Sequence, residues 1–142
     1  MYDVWLMLHF IGLALGVGTG FAMFTLGLAA ADMAPADRGA FMRRAFALSR
    51  NASIGLTLLV VSGVGLVMSL GVSAALALGG PMFHIKLTLV VVMIGLFGYM
   101  QVLIKKAKLP DGAASMARLP MISRVMLLLG IAVIISAVLA FH

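Results

Sequence analysis

The chain reads as all-α and membrane-embedded, a four-helix bundle with both termini outside (N-out, C-out). Three observations lead there. Of its 142 residues, 64% are hydrophobic and 10% charged, whereas a soluble domain usually carries about 25% charged residues. The apolar residues gather in four runs, each long enough for the ~20-residue helix that crosses a bilayer core. Nine of the ten lysines and arginines fall in two connectors or just after the second of them.

The runs are residues 4–30, 53–78, 82–104 and 120–141, one transmembrane domain over 1–142. The first lacks a basic leader and far exceeds the 7–15-residue core of a cleaved signal peptide, so it is expected to be retained. The connector "ADMAPADRGAFMRRAFALSRN" is polar and partly helical, and holds Arg38, Arg43, Arg44 and Arg50. The next, "SAALALGGP", is short and uncharged, and its glycines and proline mark a turn that starts the third helix. "KKAKLPDGAASMARLP" is basic and carries two prolines; with Arg124 beyond it, this side gains five more cations. By the positive-inside rule both basic connectors are cytoplasmic. No repeat or second domain is visible.

Several classes of chemistry are excluded. Without cysteine there are no disulfides, thiolate metal sites or iron–sulfur clusters. The +6 charge tracks topology, with no aromatic interleaving of the kind that binds nucleic acid. No nucleophile–base pair, paired carboxylates or phosphate loop appears, and the spans hold no acid for hydrolysis or proton pumping.

What the spans do hold is histidine. His9 lies about one turn into the first helix and His84 about one turn into the third, at matching depth. Two imidazoles on different helices at one depth suit a metal or haem iron between helices. His9, Gly12, Gly16 and Gly20 form one stripe at ~100° per residue, and Gly95 and Gly98 fall below His84 in the same way. A porphyrin held edge-on needs such a strip. The same glycines also form a small-xxx-small packing face that needs no cofactor, so both readings stand. His142, a terminal residue, reads as solvated.

Lys86 is two positions from His84, ~160° around the helix, so it does not serve the same iron. Either its stem snorkels to the interface or its ammonium meets a carboxylate such as a porphyrin propionate. Met7 and Met82, each two residues from a histidine, add a copper reading, since thioether with imidazole suits Cu(I); the twelve methionines otherwise read as core packing. The grouped arginines and lysines read as topology determinants. Arg124, inside the start of the last run, is open to the neighbourhood of Arg50 or to an anionic ligand.

"LMLHFIGLALGVGTG", "FMRRAFALSRNASIGLTLLVVSGVGLVM" and "FHIKLTLVVVMIGLFGYM" together resemble the HemJ-type membrane proteins, four- to five-helix bacterial proteins associated with protoporphyrinogen IX oxidation and binding of haem b. The CopD-type copper-resistance proteins share the early histidine. The resemblance matches His9 to the family's first-helix histidine, and His84 and Lys86 to its His-x-Lys. Arg43 and Arg44 stand in its basic segment. The tryptophan–glycine element after the first histidine reads "ALGVGTG" here, and the entry to the last helix keeps only Pro120. The resemblance implies a multi-pass bacterial inner-membrane redox protein with haem b on His9 and His84, acting on a porphyrin or passing electrons to quinone, alone, as a homo-oligomer or in a larger complex. A copper-handling protein and a cofactor-free accessory subunit are the alternatives.

Overall fold

The structure, a computed structural model, describes residues 1–140. Every regular element among them is helical: α1 (Tyr2–Ala29), α2 (Pro35–Ala45), a 3-10 turn (Phe46–Leu48), α3 (Ser49–Leu70), α4 (Val72–Ala107) and α5 (Ala113–Ala140). Four helical stretches are long and apolar enough to cross a membrane, α2 running on into α3 in one of them. Each presents aliphatic side chains outward: Ile11 is 52% exposed, Val61 53%, Val91 69% and Leu128 67%. Soluble monomers do not sustain such a surface on every side, and bilayer lipid covers it.

Two boundaries differ from the sequence expectation. The second run was expected to end at residue 78, but α3 stops at Gly71, whose φ of 84° suits a residue without Cβ. The expected connector "SAALALGGP", 73–81, is helical up to Gly79 instead, because "SAALAL" is rich in strong helix formers. It breaks at Gly80 (φ 49°), and Pro81, pre-set for a first helical turn, restarts the helix. Likewise α5 begins at Ala113, seven residues before Pro120, which lies within the helix. His142 lies outside the described residues.

The helices pack as two pairs. α1 lies along α3 and α4 along α5; α1 meets α5 over a shorter stretch, and α3 meets α4 sparsely. Glycine sets the first pairing. A Cβ on Gly12 would stand 2.9 Å from the Gly55 carbonyl oxygen and from the Leu59 nitrogen, and one on Gly55 would stand 2.5 Å from the Gly16 nitrogen. The backbones therefore touch, as small residues allow between membrane helices. Nearer the start of α1, the Trp5 ring fills the notch left by Gly65.

The tightest core is at the α2 end, where Phe46, Leu103, Ile104, Ala107, Leu119 and Ile122 are buried together. Arg38 fixes α2 there. Its guanidinium donates to the carbonyls of Ala30 (2.8 Å), Ala31 and Met33. The last carbonyls of a helix have no partner within it and form the negative end of its dipole, so one cation serves both needs. Close by, Gln101 Nε2 donates to Ser53 Oγ at 3.3 Å and joins α4 to α3.

Gly55→Leu should prevent α1–α3 assembly, since overpacking costs about 1–3 kcal/mol even where side chains can move and here the neighbours are backbone. Gly95→Leu, a site with nothing within 4 Å, should leave thermal stability in detergent unchanged. Melting curves of the two variants check both.

Candidate functional site

Between the two pairs lies a cavity of about 1470 Å³, lined by all four long helices and by α2. α1 and α5 touch across its middle: a Cβ on Gly20 would be 3.2 Å from Leu127 Cδ1, and one on Gly130 would be 3.6 Å from Val17 Cγ2. His9 and Lys86 line the cavity toward the start of α1, and Ser123 and Arg124 line it toward α2. No carboxylate of the described residues lines it.

His9 is held by α3. Its Nδ1 lies 3.0 Å from Ser62 Oγ, and Ser62 is 1% exposed. The roles follow from the hydroxyl, which has one hydrogen and can accept two more. That hydrogen goes back to the Leu58 carbonyl one turn earlier, as helical serines do when no other acceptor is near. With its hydrogen on Leu58, Ser62 can accept from His9 in the Nδ1–H tautomer, and in that tautomer Nε2 keeps the lone pair. Gly63 gives the ring room, since a Cβ there would be 3.7 Å from its Cε1. An imidazole oriented through one nitrogen and bare at the other is the form that binds a metal or accepts a proton. Lys86, from α4, lines the same cavity.

His84 is placed otherwise. Its side chain is exposed and does not line the cavity, so the expected pairing with His9 is not made inside the bundle. Two residues apart on a helix, His84 and Lys86 cannot both face inward. Phe83 and Met93 are buried on the inward face of α4, with Val90 and Phe97 lining the cavity. Turning those large side chains inward removes more apolar surface than turning in Gly95 and Gly98, which meet nothing within 4 Å. The second glycine strip thus points away with His84.

The first strip divides. Gly12 is buried against α3, whereas Gly16, with Leu59 3.8 Å from its Cβ position, and Gly20, at the α5 crossing, also line the cavity. The stripe is a packing face first and borders the cavity along one edge. Met7 and Met82 are exposed and line no part of it, so the sequence-based copper set does not converge on His9. Among the described residues, no three His, Cys, Asp or Glu side chains cluster as a metal site. Ser62 and Gly63 are the residues that sequence reasoning missed. The signal was a serine inside the apolar "LTLLVVSGVGLV", where a hydroxyl needs a partner.

No protein-family model matches the chain, and neither does any curated protein or solved structure.

In Ser62→Ala the Nδ1–H loses its acceptor, at a cost of roughly 1–3 kcal/mol for a buried donor. Nitrogen-15 NMR of the imidazole should show a single Nδ1–H tautomer in the wild type and a mixture in the variant.

Proposed function

We propose that this chain is a multi-pass protein of a bacterial inner membrane, N-out and C-out, that would hold haem b between its helix pairs, with His9 as the residue that would bind its iron. The observation that carries this reading is the 3.0 Å contact of His9 Nδ1 with Ser62 Oγ, which orients a ring that lines a roomy apolar cavity and, in the Nδ1–H tautomer, leaves Nε2 for a metal. The residues present fit the group. The cavity exceeds the about 300–1,000 Å³ of ordinary small-molecule sites, Gly16 and Gly63 border it without side chains, and Lys86 supplies a cation for a propionate.

The family resemblance implies that His84 would be a second ligand; with His84 on the outer face of α4, the proposal rests on His9 alone. When bound, haem b supplies reversible one-electron chemistry, suited to drawing electrons from a porphyrinogen or passing them to quinone. The chain's own part is to hold the imidazole tautomer through Ser62, place a cation beside it, and surround both with apolar side chains that exclude water. The N-out, C-out orientation rests on nine of ten basic residues lying on two connectors or beside them.

The purified protein should show a Soret band. His9→Ala should lose at least about tenfold of the haem per chain, while His84→Ala keeps wild-type haem and spin state and Lys86→Gln loses haem on dilution or shifts its potential. Full haem in His9→Ala would overturn the assignment, and copper on metal analysis without a Soret band would point to the copper reading.

Reporter fusions after Arg44 and after Asp111 should both read as cytoplasmic. A periplasmic signal at either reverses the orientation.

A further inference from the structure

The part of the cavity beyond the α1–α5 crossing is not used by His9 or Lys86. It is bordered by Arg124 and Ser123 of α5, by Phe24 of α1, and by the methionines Met23, Met100 and Met116. Arg124 lies eleven residues into α5, about 16 Å from its start at 1.5 Å per residue. By the contact of Gly20 with Leu127, it stands near Met23, some two turns inside the end of α1. Its side chain is exposed but lines the cavity, about one turn past Pro120 where the apolar run begins; a guanidinium inside an apolar run is a functional-site candidate, and the question is what anion it meets.

Among the described residues, none is supplied. None of the hydrogen bonds among the described residues involves Arg124, and none of the four acids, Asp3, Asp32, Asp37 and Asp111, lines the cavity. Arg38, the other arginine on the wall, is committed to the α1 carbonyls. Around Arg124 the surface is methionine, phenylalanine and glycine, which suits a flexible hydrocarbon chain. Anionic headgroup and acyl tail are therefore asked for together. Basic pockets between membrane helices on the side rich in lysine and arginine bind such headgroups. The cavity is also larger than a single small-molecule site requires.

We infer that this half of the cavity is a binding site for a diacyl lipid with an anionic phosphate headgroup, the phosphate on Arg124 and Ser123 and an acyl chain along Met23, Phe24 and Met116. The site is separate from the His9 half and does not depend on the haem reading.

The test is lipid retention by the full-length protein. Nanodiscs are prepared with equal phosphatidylglycerol and phosphatidylcholine, the protein is re-extracted in mild detergent, and bound lipid is measured by native mass spectrometry. Wild type should retain phosphatidylglycerol preferentially. Arg124→Gln should lower that retention by about fivefold, the worth of one cation near a lipid phosphate. Arg124→Lys should largely restore it, and Arg118→Gln, an exposed cation off the cavity wall, should leave it as in wild type. Millimolar glycerol phosphate should not displace the lipid. Equal retention of both lipids by wild type overturns the site, even if Arg124→Gln fails to fold. Wild-type retention in Arg124→Gln, or an equal loss in Arg118→Gln, does the same, the latter meaning general surface attraction. Displacement by glycerol phosphate means a site for the headgroup alone.

Discussion

The backbone contact between α1 and α3 is the constraint from which the remaining geometry follows. With Gly12 against the Gly55 carbonyl, and no room for even a methyl group between them, the two axes are drawn together and the rotation of α1 is set. Three residues before Gly12, His9 then faces α3 at the height of Ser62. A wider spacing would leave a 3.0 Å bond between the ring and that hydroxyl out of reach. Interhelical hydrogen bonds in membranes are modest, about 0.6–2 kcal/mol, too weak to place helices by themselves. Packing brings the imidazole to Ser62, and the bond then selects its tautomer.

Much of the architecture was legible in the sequence because long apolar runs leave the backbone few options: with no water to bond to, a spanning segment must be helical. The break at Gly71 was not, because the aliphatic run continues across it and hydropathy does not register a single positive φ. The His9 stripe was legible for a related reason, since periodicity gives the face of one helix. It does not give which way that face turns. On α4 the face bearing His84, Gly95 and Gly98 and the face bearing Lys86, Val90 and Phe97 are equally regular. The choice between them came from comparing how much side chain each could bury, a property of the assembled bundle.

The electrostatics of the cavity follow from the same rotation. With Lys86 inward and His84 outward, the charged side chains of the described residues on the wall are Lys86, Arg124 and Arg38. Apolar lining raises the effective strength of each charge by excluding water.

The pairing of helices has a consequence for how the molecule is made. α1 and α3 lie in the first 70 residues and α4 and α5 in the remainder, with the Gly71 break between them. During synthesis the first hairpin can close, glycine against glycine, before the second has emerged, so His9 meets Ser62 early. The cavity exists only after the second hairpin docks through Val17, Gly20, Leu127 and Gly130. Whatever occupies it must then be enclosed as the halves join or enter sideways from the bilayer between α3 and α4, where the packing is thinnest.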